Sequence, residues 1–324
     1  MYKYIGIDIS KQTFDAYSIS SKQKETLLKE DNNKKGFKKL IKSYGSEGIY
    51  VMEATGPYYL QLATFLYEEG VKVSVVNPLV IKRFSQMQLL RAKTDKKDAQ
   101  TICKYAMNNL IVLWKPSPVE ILEMQQILTA LELLNKQHSA VNSQLSSFIS
   151  SGNIDKQVKE TLSTTLSNIK LDKKKLNQRL NQIVDENYPE TRRLLESIPG
   201  IGPKAAAILI AITNNFTKFI HYKQLIAYVG LSPRTYTSGT SVKGRGHICK
   251  MGKSQVRKQM YISSWSAKFH NKACKEFYDR LIKKGKPERV VKIAIANKLL
   301  KQAFAIVTNK KMYNENFKSQ LRYA

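Results

Sequence analysis

The pattern of apolar and polar positions changes character twice along the chain. The opening stretches "YKYIGIDIS" and "DAYSIS" read as two strands joined by a short "KQTF" turn, a hairpin. "GFKKLIKSY" has helical spacing, and "GIYVMEAT" is a buried strand that ends at Glu53 before "GP" breaks it. "YYLQLATFLYEEG" reads as a helix closed by Gly70, and "VKVSVVNP" as a further strand. A helix is expected near 79–90, and "RAKTDKKDAQTICKYA" begins as a loop and becomes a helix. A hairpin followed by alternating strands and helices predicts a mixed sheet flanked by helices over residues 1–115.

Beyond that point the period lengthens. Ile121, Met124, Leu128, Leu131, Asn135, His138, Asn142 and Leu145 step by three and four, and Leu162, Leu166, Ile169, Leu176, Leu180 and Ile183 do much the same. "SSGNID" between them reads as a turn, so residues 116–190 predict an antiparallel helical hairpin or coiled coil. Such an arm serves self-association, so a homodimer or homotetramer is expected; His138 on the seam reads as a register-setting or solvated residue.

Residues 191–324 open with "LLESIPGIGPKAAAILIAI", a helix, a glycine-bearing corner and a second helix. This is the pattern of a helix-hairpin-helix, which grips a DNA backbone without reading sequence. Gly200, Gly202 and Lys204 are its candidate phosphate contacts, since amides at a helix N-terminus are open to an anion. An ordinary helical corner is the plainer reading. Next comes "YVGLSPRTYTSGTSVKGRGHICKMGKSQVRKQMY", nearly free of acid. Arg234, Lys243, Arg245, Lys250, Lys253 and Arg257 are its candidate nucleic-acid contacts, with a basic linker as the alternative.

Charge sharpens this division. The chain has 324 residues with 54 Lys and Arg against 25 Asp and Glu, a net charge of +29. Residues 1–115 hold 19 basic and 11 acidic residues, 116–190 hold 8 and 9, and 191–324 hold 27 and 5. An excess of this size calls for a polyanion, and nucleic acid leads. An anionic membrane is the rival, but the longest apolar run, "AAAILIAI", is too short for a span and no signal peptide is seen. Cys103, Cys249 and Cys274 are odd in number and scattered, which reads as reduced thiols in a cytoplasm, and "HIC" is too sparse for a zinc site.

One acid breaks the apolar run from Tyr4 to Ile9. Asp8 would cost several kcal/mol if buried alone, on the order of the unpaired-charge penalty. Glu53 ends a strand, and Asp95 and Asp98 stand at i, i+3 on one helix face. Four carboxylates around one sheet edge can hold Mg²⁺ (or Mn²⁺), and two ions about 4 Å apart would clamp the attacking and leaving oxygens of a phosphodiester. Taken singly, Glu53 has the plainer reading of a cap for the helix after Gly56, and Asp95 that of an N-cap for "KKDAQTICKYA".

"GIDISK", "MEATGPYY" and "RAKTDKKDA", followed by "IPGIGPKAA", "AYVGLSPRTYTSG" and "GRGHICKMGKSQVRK", resemble the DEDD-motif transposases of bacterial insertion sequences, a group that includes the Piv-type DNA invertases. The resemblance runs from about Tyr2 to Trp265, with the motifs in the family's order. It implies an α/β RNase H-like (RuvC-like) domain, a coiled-coil dimerisation arm and a mainly helical C-terminal transposase domain with a nucleophilic serine. Catalytic roles then fall to Asp8, Glu53, Asp95, Asp98 and Ser238. Partners implied are the DNA of element ends and target and a structured guide RNA that selects sites by base pairing. A cytoplasmic, nucleoid-associated protein follows. Where many members read "SSGG", this chain reads "TSGTS", so Ser238 before Gly239 competes with Ser241. Arg234, Lys243 and Arg245 are placed to stabilise developing phosphorane charge, and His247 is the nearest base in sequence. The acids of the first domain are expected to reach Ser238 in space, from the same or another subunit. Three rivals stand: a metal-only resolvase-like nuclease, a non-catalytic nucleic-acid scaffold, and a sugar-kinase-like fold opened by "GIDIS". The last lacks a second glycine-rich phosphate loop in residues 48–115.

Overall fold

A computed structural model describes residues 3–20, 23–89, 94–234, 237–238, 242–243 and 247–316. The chain divides into two compact units, Met1–Pro116 and Ser117–Ala324.

Unit 1 is built on a five-stranded mixed sheet in the order β3-β2-β1-β4-β5. β1 (Tyr4–Ile9), β2 (Thr13–Ile19) and β3 (Glu25–Asp31) form an antiparallel meander, while β4 (Ile49–Glu53) and β5 (Lys72–Val76) run parallel to β1. The expected hairpin is therefore three-stranded, and its turn spans Ser10–Thr13, closed by a Ser10 N–H to Thr13 carbonyl bond of 2.9 Å. β3 escapes the hydrophobic pattern because it is an edge strand: "ETLLKED" is mostly exposed, and its charges protect the open edge from pairing with another chain.

Alternation sends Ile5, Ile7, Ile9, Tyr50 and Met52 into a core with Phe37 and Leu40 of α1 (Lys34–Tyr44) and Leu62 and Leu66 of α2 (Tyr59–Glu68). On the opposite face Ile49 and Val51 meet Ile81 of α3 (Pro78–Met87) and Ile102 and Ala106 of α4 (Asp95–Asn108). Asn33 caps α1, accepting from Lys35 and Gly36 amides at 3.0 Å each, and the Tyr44 hydroxyl at the far end donates to the Ala16 carbonyl at 2.9 Å.

Unit 2 is helical apart from short paired strands. α5 (Val119–Ser150) and α6 (Lys156–Asn187) pack as an antiparallel hairpin, with Asp155 capping α6. Each is 32 residues, which at the helical rise is about 48 Å. Ile121, Met124, Leu128 and Leu131 join Leu180, Ile183 and Val184 in the core of the unit. Farther out on α5 the expected seam opens: Asn142 is exposed and Asn135, His138 and Leu145 are half-buried. The reason lies at the base, where α8 (Pro203–Thr213) covers both long helices, whereas two helices alone bury only a narrow stripe.

Every residue of α8 from Ala205 to Thr213 is buried, and α7 (Pro189–Glu196), α9 (Tyr222–Val229), α10 (Ser254–His270), α11 (Lys272–Lys283) and α12 (Glu288–Asn309) complete the unit. β6 (Pro233–Arg234) pairs with β9 (His247–Ile248), and β7 (Thr237–Ser238) with β8 (Val242–Lys243), all antiparallel. Among the described residues, no helix is long and apolar enough to cross a membrane.

Candidate active site and nucleic-acid surface

The face of the sheet under α4 assembles the acids. Tyr4, Gly6 and Asp8 share this face of β1, because their apolar neighbours Ile5, Ile7 and Ile9 all enter the opposite core. A Cβ on Gly6 would stand 2.3 Å from both the Ala99 carbonyl oxygen and the Cys103 amide nitrogen of α4. Glycine there is what lets α4 lie directly on β1. The first turn of α4 carries Asp95 and Asp98, whose negative charge suits the positive end of the helix dipole. Glu53 stands at the end of β4, two residues beyond Val51 and on the same face.

The plainer readings of two of these acids fail. Thr94 caps α4, accepting from the Lys97 amide at 3.3 Å, so Asp95 is not the cap. α2 has no side-chain cap, and Glu53 instead accepts from the Thr55 hydroxyl at 3.3 Å.

Asp8 is half-buried rather than fully enclosed. Its burial, reinforced by repulsion from Asp98, Asp95, Glu53 and Asp15 in that order, pushes its pKa up to about 6. Asp15 is a residue the sequence reading missed. It lies directly opposite Asp8 across the hairpin, is buried, and sits 3.7 Å from the Lys29 ammonium. Burial raises its pKa while Lys29 opposes the rise. The register of a tight hairpin is the signal that would have found it.

All of these donors are carboxylate oxygens, the set a hard divalent cation prefers, and their mutual repulsion is relieved by such a cation. Among the described residues no group of three or more His, Cys, Asp or Glu side chains stands where it could hold a metal ion. The acids share one face of the sheet and act on Asp8 through charge.

In unit 2, Gly200 has φ +104°, and a Cβ there would stand 2.7 Å from the Ala267 side chain, so this glycine serves the α7–α8 corner and its packing on α10. Gly202 and Lys204 are exposed at the N-terminus of α8. Ser238 pairs with Val242, and Lys243 with Thr237, in the β7–β8 ladder. Gly239, Ser241 and Arg245 lie outside the described residues. Arg234 is exposed and pairs in register with His247. Lys253 is exposed just before α10, and the Arg257 guanidinium donates to the Val229 carbonyl at 2.7 Å, tying α10 to α9. Lys250 and Arg257 share one cleft with basic residues of α9, α11 and α12 that linear spacing does not bring together.

A carboxylate face on a mixed sheet, joined in one chain to a strongly basic helical unit, defines an enzyme that acts on a polynucleotide backbone. A model described as "Transposase IS116/IS110/IS902 family" matches residues 192–279, and a transposase model of the IS110 DEDD type matches residues 5–152. The chain belongs to the IS110 family of transposases and is a DNA transposase/recombinase. It is 30% identical over 322 residues to the pilin gene-inverting protein of Moraxella lacunata, covering 96% of this chain and 98% of that protein. The protein of the same description from Moraxella bovis is 30% identical over 324 residues, with the same coverage. The transposase for insertion sequence element IS1111A of Coxiella burnetii is 23% identical over 340 residues, covering 96% and 91%. The DEDD type of domain points to use of a divalent metal.

Proposed function

We propose that this transposase cuts and rejoins DNA at insertion-sequence ends and target, with Asp8, Glu53, Asp95 and Asp98 as ligands for Mg²⁺ and Ser238 as nucleophile. The observation that carries the reading is the placement of Asp8 on β1, Glu53 at the end of β4 and Asp95 and Asp98 on the first turn of α4, which lies directly on β1. The raised pKa of Asp8 in their company is consistent with a functional site. The strand order β3-β2-β1-β4-β5, antiparallel on one side of β1 and parallel on the other, supports an RNase H-like, RuvC-like assignment for unit 1.

When bound, the metal supplies Lewis-acid chemistry at a phosphodiester and neutralises its charge. The chain's own residues do the rest. Asp8 and Glu53 hold their positions from neighbouring strands, while Asp95 and Asp98 are delivered by the first turn of α4. Ser238 Oγ attacks phosphorus: the Oγ–P bond forms and the bond from phosphorus to one bridging sugar oxygen breaks. The hydroxyl proton passes to a base, and the released sugar oxygen takes up a proton. Arg234, Lys243 and Arg245 stabilise the charge that develops on the phosphoryl oxygens. Rejoining runs the same exchange backwards with a different strand's hydroxyl.

Partners follow from the same reading. A structured guide RNA chooses the sites, since phosphate-gripping surfaces carry no sequence information themselves. Gly202 and Lys204 contact a phosphate backbone as part of a helix-hairpin-helix. The α5–α6 arm associates with further copies through its exposed Leu133, Phe148, Ile149 and Leu171, giving a dimer or tetramer. The inversion named for the Moraxella relatives is a rearrangement of the same cut-and-rejoin type. The protein works in the cytoplasm on nucleoid DNA.

Denaturing electrophoresis with labelled element-end DNA, Mg²⁺ and flanking RNA tests the reading. Wild type should give a slow, protease-sensitive band that Ser238→Ala removes and Ser241→Ala keeps. Asp8→Asn should lower strand exchange on the order of 10²-fold or more. Strand exchange without any such band establishes metal-only chemistry, and exchange at the wild-type rate in Asp8→Asn overturns the metal site.

A further inference from the structure

Between α9, α10, α11 and α12 of unit 2 lies a cleft of about 1790 Å³. Small-molecule pockets run from about 300 to 1,000 Å³, so this volume suits a polymer better than one metabolite. Its wall carries eight Lys or Arg residues and no Asp or Glu. Four different helices supply seven of them, among others Lys223 of α9, Arg257 of α10, Arg280 of α11 and Lys301 of α12, and Lys250 precedes α10. Such a gathering repels itself. Burial pulls the Lys298 amine's pKa down, and Arg280 and Lys301 add to the pull against the nearby Cys274 and Glu276.

Aromatic rings share the wall. Phe277 carries the Arg280 guanidinium and the Lys298 ammonium, each 5.2 Å from its ring centroid, which holds both cations in place. Lys301 lies 5.5 Å from the Tyr222 ring, and Tyr261 lines the cleft from α10. Cations and half-buried rings in one concavity match a chain that offers phosphates and unstacked bases together. A duplex turns its bases inward and is read by elements that protrude into a groove. An unpaired strand offers its bases freely.

We propose that this cleft binds one unpaired nucleic-acid strand, with phosphates on Arg280 and Lys301 and bases stacked on Tyr222 and Tyr261. The proposal deepens the DNA-transfer reading by naming a single-stranded partner, yet it stands on the cleft's own charge and rings.

The test is fluorescence anisotropy of the full chain with labelled oligo-dT, oligo-U and a duplex, in EDTA and over a series of salt concentrations. No strand is cut in EDTA, so failure here is separate from failure of the carboxylate chemistry. Arg280 and Lys301 are both exposed, so their replacement leaves the fold intact. Arg280→Ala with Lys301→Ala should weaken single-strand binding on the order of tenfold and reduce the salt slope by about 1.4. Tyr261→Leu should weaken it about tenfold with the slope unchanged, because a stacked base and not a phosphate is lost. Tighter binding of oligo-U than oligo-dT assigns the strand as RNA, and the reverse as DNA; either supports the cleft. Unchanged single-strand binding in both variants overturns the proposal. So does an equal loss for duplex and single strand.

Discussion

Unit 1 and unit 2 each gather like charges, but they do so by different means. In unit 1 the acids are set by local geometry: a two-residue period along β1, a hairpin register, a parallel neighbour and one helical turn. In unit 2 the cations of the cleft are set by the packing of α9, α10, α11 and α12 on one another. The acidic face therefore depends on a few backbone contacts, and the basic cleft on a whole core. Repulsion acts in both: burial and neighbouring acids raise Asp8 to about 6, and in the cleft burial, with Arg280 and Lys301 adding to it, pulls the Lys298 amine down.

Two glycines, one in each unit, differ sharply in what surrounds them. Gly6→Ala would place a methyl 2.3 Å from α4 backbone atoms, which cannot swing aside as a side chain does. Destabilisation of roughly 1–3 kcal/mol is expected, with α4 pushed off β1 and divalent-ion binding weakened in step. Gly202→Ala, at the N-terminus of α8, meets nothing within 4 Å and has φ −94°. It should cost below about 1 kcal/mol, the loss of a good N-cap residue. Thermal unfolding of the two variants measures both. Equal costs would mean that close approach at Gly6 does not set the acidic face.

This contrast also explains what the sequence made legible. The strands, the four acids and the long hairpin all announce themselves by spacing, because period two and period 3.6 put side chains on one face without help from distant chain. β3 does not, since an exposed edge strand has little apolar signal to show. Asp15 was invisible for a related reason: a single acid in "TFDAYSI" gains meaning only when the turn at Ser10–Thr13 fixes it opposite Asp8. The cleft was hidden most deeply. Lys223 and Lys301 belong to helices far apart in sequence and meet on one wall only after unit 2 has folded. Gly200 also has a structural account that the motif alone does not give, in its left-handed φ and the closeness of Ala267.

A smaller effect sharpens the account of the acidic face. Asp15→Asn keeps the shape and removes one charge from the group around Asp8. The Lys29 partner is 58% exposed, so losing the pair should cost under about 1 kcal/mol of stability. Divalent-ion affinity, followed by calorimetry, should fall about tenfold or less, as for a group that supports ligands without being one. A loss as complete as that of Asp8→Asn would make Asp15 a ligand and the set one of five.

The smallest effect is expected at the start of α12, where unit 2 handles an acid in the opposite way. Glu288 Oε1 lies 3.0 Å from the Lys292 ammonium and 3.1 Å from that of Lys268, and it accepts from the Tyr278 hydroxyl at 3.2 Å. Hydrogen bonding to Lys292 and then to Lys268 lowers its pKa to about 2 from an ordinary 4.5. A folded-state pKa below the unfolded value gives stability that is complete above pH 4.5 and is lost as the pH falls toward 2. Glu288→Gln should therefore lower the melting temperature of the protein at neutral pH, and the gap to wild type should close as the pH drops through that window. Raising the salt at neutral pH should narrow the same gap, because the carboxylate itself is reached by solvent. A gap that stays constant across the acidic range would show that Glu288 acts through packing and not through its charge. The sign is opposite to that at Asp8, where neighbouring acids push a carboxyl up, and so one titration series compares the two ways this chain holds an acid.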